Sequence, residues 1–219
     1  MIIYNPHNPH LLKSRMKEAE NILAQIPAKY CFITGSFLYK ENYKDLDIFV
    51  ISRSKRKIKV DNSKAKITVI DFNDLYSLFY HSISKRCIAK NILPVRPLKV
   101  TISDYWHVIN EAVPTLLNSK DKFHKEVRSL ILYTEYFKSG KILDTFQLDD
   151  KIKELKDYKA VLVHIQENIP HIMQEKLASS YLKRFFYTQA GYYKEAEEYE
   201  AQRFLYELTH SITRGVTVG

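Results

Sequence analysis

Two aspartates one residue apart, Asp45 and Asp47, stand at the start of an apolar run that continues through Ile48-Phe49-Val50-Ile51. On a strand, side chains alternate between faces, so both carboxylates point one way while Leu46, Ile48 and Val50 point into a core. Carboxylates held that close repel each other unless something positive lies between them. Protonation of one is one answer. A divalent cation is the other, and Mg²⁺ takes hard oxygen ligands, usually one or two carboxylates completed by substrate phosphates. A third acid, Asp71, sits near the end of the run Lys66-Ile67-Thr68-Val69-Ile70-Asp71-Phe72, where Ile67, Val69 and Asp71 share a face. If that run lies beside the first, the three carboxylates suit two Mg²⁺ ions roughly 3.5–4 Å apart. One ion would orient a nucleoside triphosphate. The other would acidify an attacking hydroxyl, with Asp71 placed to accept the proton. Gly35-Ser36 precedes the aspartates by eight residues. A glycine after a strand lets backbone N–H groups approach a phosphate closely, and the serine hydroxyl adds a donor.

The elements that must position these groups are legible in outline. Leu11, Leu12, Met16, Ala19, Ile22 and Leu23 recur at helical spacing and predict a helix over 9–26, stopped by Pro27. Lys29 to Thr34 and Leu46 to Ile51 read as strands flanking the Gly-Ser break, with one helical turn near Phe37 to Tyr39. Residues 53–66 carry seven Lys and Arg against one acid, Asp61, and the turn-like Asp61-Asn62-Ser63 predicts a basic hairpin with Ile58 and Val60 in one arm. Asp61 is the rival third acid, but its context marks a turn. Lys66 to Phe72 is a third strand, rich in β-branched residues. Asn73 or Asp74 caps a helix to Lys90, and Asp71 doubles as a candidate strand-end cap for it. Residues 94–102 are extended. From there the pattern is helical, over roughly 103–118, 121–138, 147–168, 171–190 and 192–212.

Gly35-Ser36, eight residues, then Asp45-Leu46-Asp47 resembles the Gly-Ser…Asp-x-Asp signature of the DNA polymerase β-like nucleotidyltransferase superfamily, nearest to its minimal members. Phe37 matches the residue that often follows the serine. The resemblance covers about 70 residues, ending at Phe72. It implies transfer of a nucleoside monophosphate from a nucleoside triphosphate to a hydroxyl acceptor (RNA, protein or a small molecule), with release of pyrophosphate. By that resemblance Gly35 and Ser36 hold the triphosphate, while Asp45 and Asp47 bind Mg²⁺ and Asp71 is carried over as the third ligand; Lys44, beside Asp45 where the family commonly has Ser, is a further candidate nucleotide contact. A non-catalytic member of the same fold, binding nucleic acid or a partner protein as half of a toxin–antitoxin pair, is the alternative. Arg203 and His210, two helical turns apart, also resemble the Arg-x4–6-His motif of HEPN-type RNases.

Composition bounds the rest. Residues 1–100 hold 18 Lys and Arg against 8 Asp and Glu, and residues 101–219 hold 16 against 17, so the net charge of +9 lies wholly in the part that carries the motif. Such a field attracts polyanions. Arg53, Lys55, Arg56, Lys57 and Lys59 follow directly on the strand with the aspartates and are the candidate phosphate-tracking contacts. Cys31 and Cys87 form no metal pattern and read as free thiols of a cytoplasmic protein. No apolar run has the length that spans a bilayer. The expectation is an α+β chain. A small mixed-sheet nucleotidyltransferase domain occupies residues 1–100, and an all-helical domain occupies 101–219.

Overall fold

The computed structural model describes residues 1–53, 58–118, 123–176, 184–186, 188–189 and 200–214. They form a mixed α+β chain in two compact units, Met1–Val100 with Ile142–Asp149, and Thr101–Lys141 with Asp150–Gly219. The return of 142–149 to the first unit lies outside the expected division at residue 100.

The first unit is built on a five-stranded sheet of order β1-β5-β2-β3-β4. The strands are β1 (Ile2–Tyr4), β2 (Tyr30–Thr34), β3 (Leu46–Ile51), β4 (Ala65–Ile70) and β5 (Cys87–Ala89). Neighbours are antiparallel except β3 and β4, which run parallel. Helix α1 (Pro9–Ala24) begins as its sequence dictates: Pro9 opens it, and the Asn8 side chain accepts from the Leu11 N–H at 3.1 Å. It packs Leu12, Ala19, Ile22 and Leu23 onto Cys31, Ile33, Leu46, Ile48 and Val50. The opposite sheet face buries Phe32, Phe49, Ile51 and Ile70 with Tyr80 and Ile83 of helix α2 (Leu78–Lys85). The two faces follow the alternation read from the sequence. Both cysteines are buried and unpaired. Desolvation pushes the Cys31 thiol up to about 11, against the opposing charge of Lys90, and pushes Cys87 higher still, so neither is a reactive thiolate at neutral pH.

Three expectations are corrected here. Where a hairpin was expected, β3 and β4 run parallel, so the chain must return between them, and its described residues 58–64 form no strand. Ile58 and Val60 pack on the α1 side of the sheet during that return. The helix expected to reach Lys90 ends at Lys85, and Cys87–Ala89 instead form a central strand between β1 and β2. Pro170, in the gap expected between helices over 147–168 and 171–190, lies inside a helix.

In the second unit, α3 (Ile102–Asn118) and α4 (Phe123–Ser139) meet through Tyr105, whose ring stacks on Phe137 at 5.2 Å and whose hydroxyl bonds Thr134 Oγ1 at 2.7 Å. Helix α5 spans Thr145–Glu154, its residues 145–149 belonging to the first unit and 150–154 to the second, and α6 (Tyr158–Lys176) buries Val161, Ile165, Ile169 and Ile172 at helical spacing. Pro170 is absorbed because its neighbours Ile169 and Ile172 are held in that core. The last described helix, α7, spans Glu200–Thr213. Among the described residues no helix is long and apolar enough to cross a membrane.

Candidate functional site

The site grows from the end of the sheet where β2 stops and β3 and β4 begin. Thr34, the last residue of β2, pairs with Asp47 across the antiparallel ladder, and the 3-10 turn Gly35–Leu38 follows at once. Gly35 has φ +78°, the left-handed region that glycine enters freely. A Cβ at this position would lie 2.7 Å from Asp47 Oδ2, so the carboxylate is seated directly against the glycine backbone. Two requirements, backbone conformation and space, therefore converge on Gly35. We expect Gly35→Ala to cost roughly 1–3 kcal/mol in urea unfolding, at unchanged m-value, and to dislodge Asp47. A variant as stable as the wild type would show that this contact is slack.

The turn is braced from behind. The Ser36 carbonyl accepts from the N–H groups of Tyr39 (3.2 Å) and Lys40 (2.8 Å), and Phe37 is fully buried. Arg15 of α1 donates to the Glu41 carbonyl at 2.6 Å and lies 4.3 Å from the Tyr43 ring, against which Lys64 also rests at 4.4 Å. The Tyr39 hydroxyl donates to Asp149 at 2.8 Å, and Lys40 pairs with the same carboxylate at 3.3 Å. The loop from Gly35 to Asp45 is thus tied down at both ends and in its middle. Ser36 is half-buried in this turn, and Lys44 is exposed beside Asp45.

Asp45 and Asp47 share the sheet face of Phe49 and Ile51, as alternation requires. The parallel register sets Lys66 beside Asp47, and the Lys66 ammonium donates to Asp45 Oδ2 at 2.6 Å. That hydrogen bond holds Lys66 above its ordinary pKa; desolvation opposes, and the charges of Asp45 and Asp47 add to the rise. Lys66 therefore sits in the field of both acids. Two residues further along, roughly 7 Å by strand geometry, Phe49 neighbours the exposed Thr68. Over it lies Phe79 of α2, 44% exposed, its ring 5.7 Å from that of Phe49. Acids, ammonium, hydroxyl and open aromatic ring lie along one side of the β3–β4 pair.

Asp71 does not join this cluster. Because β3 and β4 run parallel with Ile51 beside Ile70, Asp71 falls at the opposite end of the sheet from Asp45 and Asp47. Its alternation with Ile67 and Val69, which pack toward α1, also assigns it to the other face. It acts as the strand-end cap: Asp71 Oδ1 accepts from the Asn73 N–H at 2.9 Å, and Asp74 Oδ2 accepts from the Asp71 N–H at 2.7 Å. Arg53 is displaced for the same reason. It follows the far end of β3 and lies 5.8 Å from the Phe72 ring. Lys59 is exposed between Ile58 and Val60, on the segment that packs against the α1 side. Lys55, Arg56 and Lys57 lie outside the described residues. Among the described cations of the 53–66 run, Lys64 and Lys66 lie at the acids' end of the sheet. In the sequence both are members of one charge run. Only strand orientation distinguishes them from the rest.

A metal can be tested against this donor set. Two carboxylates completed by substrate phosphates suit one Mg²⁺. The two-ion arrangement loses its third ligand with Asp71, and among the described residues no group of three or more His, Cys, Asp and Glu is placed to hold a metal ion. Elsewhere, Arg203 is exposed and pairs with Glu207 at 3.3 Å, and His210 stacks on Tyr206, all within α7. Comparison of the chain with family models, with curated proteins and with solved structures finds no match.

Proposed function

We propose that the first unit binds a nucleoside triphosphate together with one Mg²⁺ at the Gly35-Ser36 turn and the Asp45–Asp47 pair, and transfers the nucleoside monophosphate to a hydroxyl acceptor. The observation that carries this reading is the seating of the Asp47 carboxylate on the Gly35 backbone. It joins a glycine turn suited to phosphate with an acid suited to its counter-ion. When bound, Mg²⁺ neutralises phosphate charge and orients the α-phosphoryl group. Asp45 and Asp47 hold it, and the braced loop keeps both acids and the turn in fixed register. The acceptor oxygen bonds to the α-phosphorus, its proton passing to solvent, and the bond to the departing pyrophosphate breaks. The basic charge of residues 1–100 favours a polyanionic acceptor such as RNA over a neutral one.

Lys66 favours a second reading, a scaffold of this kind that binds triphosphate without transferring it, because an ammonium occupies the strand position beside Asp47. Incubating the full chain with each labelled ribonucleoside triphosphate, Mg²⁺ and cell extract separates the two. Label in RNA, protein or a small molecule supports transfer. Thermal stabilisation by triphosphate with no label supports the scaffold. No stabilisation by any triphosphate defeats both.

The exposed Phe79 ring is the base platform in this reading. Base–aromatic stacking is worth ~1–3 kcal/mol, so Phe79→Ala should weaken triphosphate binding about ten- to a hundredfold while leaving inorganic triphosphate binding unchanged. Equal loss for both probes would remove Phe79 from the site.

A further inference from the structure

We propose that Lys66 is the built-in counter-charge of the carboxylate pair and becomes a direct ligand of the triphosphate, so that the site works with a single divalent ion and retains weak nucleotide affinity with none. The proposal rests on the triphosphate-binding reading above and concerns how that site balances its charge.

Lys66 has the position, the freedom and the charge. It is the residue of β4 in register with Asp47, and its Nζ lies 2.6 Å from Asp45 Oδ2. The pair is not locked: the Lys66 side chain is 63% exposed and that of Asp45 45%. Solvent-exposed ion pairs contribute little, so exchanging Asp45 for a phosphate oxygen has a small penalty. A lysine ammonium carries three donors on a flexible four-carbon stem, which suits it to move between a carboxylate and a phosphate. Exchange also improves the electrostatics. With Lys66 released, Asp45 is free to coordinate Mg²⁺ alongside Asp47, and the ammonium follows the triphosphate that delivers the ion.

The charge of the assembled site supports a single ion. Two carboxylates, one ammonium and one divalent cation sum to one formal positive charge. Three carboxylates with two divalent cations sum to the same. Lys66 thus replaces an acid together with the second ion that the acid would require, and a triphosphate meets the same net field in both arrangements.

Calorimetric titration of the full chain with ATP, GTP, CTP and UTP, in Mg²⁺ and in EDTA, tests this. The wild type should bind the preferred triphosphate tightly in Mg²⁺ and weakly but measurably in EDTA. Lys66→Met should lose about tenfold to a hundredfold in EDTA, the range for a charged hydrogen bond, and less in Mg²⁺. Lys66→Arg should retain most of the EDTA affinity. Lys66→Asp should abolish EDTA binding and steepen the dependence on Mg²⁺ concentration. Thermal melts without ligand should be little changed for Lys66→Met and Lys66→Arg, since the side chain is exposed, whereas Lys66→Asp sets a third carboxylate beside Asp45 and Asp47 and should melt lower. The proposal is overturned if Lys66→Met binds like the wild type in EDTA, or if wild-type binding in Mg²⁺ vanishes entirely in EDTA. The underlying reading fails separately: its mark is an Asp47→Asn variant that binds triphosphate in Mg²⁺ as well as the wild type, or a wild type that binds none of the four in either buffer, which removes both.

Discussion

Asp47→Asn should reduce transfer of labelled nucleotide at least a hundredfold and eliminate stabilisation by Mg²⁺ with triphosphate, yet leave a folded protein. The change is isosteric, so the amide still fits against Gly35, where a Cβ would meet Asp47 Oδ2 at 2.7 Å. What it removes is the charge beside Lys66 and the hard oxygen ligand for the cation. A metal supplies several kcal/mol of charge stabilisation at a phosphoryl centre, and each 1.36 kcal/mol is tenfold in rate, so a hundredfold is the lower bound for losing a ligand. The ligand-dependent melt is the second readout. A wild type saturated at a hundred times Kd gains ~2.7 kcal/mol, which the variant should lack. Asp45→Asn should be milder in binding, because that carboxylate already shares Lys66. Transfer by Asp47→Asn at the wild-type rate would end the nucleotidyltransferase reading.

Asp144→Ala should lower the stability of the first unit by ~3–5 kcal/mol, the range for breaking one side of a buried ion pair. Asp144 is 3% exposed in its side chain, and its Oδ2 accepts from both Nε (3.0 Å) and Nη2 (2.8 Å) of Arg86. Its Oδ1 accepts the N–H groups of Phe146 and Gln147 at the start of α5. Removing it strands a desolvated guanidinium and strips a helix cap worth ~1 kcal/mol. Asp144→Asn keeps the cap and should lose less. The effect reaches the candidate site through the backbone. The Arg86 carbonyl accepts from Thr34 Oγ1 at 2.8 Å, and Thr34 is the residue before Gly35. A loosened Arg86 therefore loosens the strand end from which the turn springs. The check is urea denaturation of both variants beside Asp47→Asn, read as midpoints at constant m-value. A loss below ~1 kcal/mol for Asp144→Ala would show that the pair is dispensable.

How much was legible in the sequence follows from the range of each physical rule. Alternation along a strand is local, so the common face of Asp45 and Asp47 and the inward Leu46, Ile48 and Val50 were readable from seven residues. A break after an apolar strand was readable from the Gly35-Ser36 step. The three-residue strands β1 and β5 were not, because so few residues carry no periodicity; they are strands only because the sheet pairs them.

By itself the sequence determined which side chains share a strand face, where the chain must break at Gly35, and that the positive charge gathers before residue 100. Only the tertiary structure decided that β4 runs parallel to β3. That one choice sends Asp71 to the far end of the sheet, sets Lys66 beside Asp47, and carries Arg53 away from the acids. It also decided that residues 142–149 return to the first unit and bury Asp144 against Arg86. The physical reason is the same in each case. Side-chain direction is set by neighbouring dihedrals, whereas strand orientation and distant ion pairs depend on where the intervening chain finds its buried contacts.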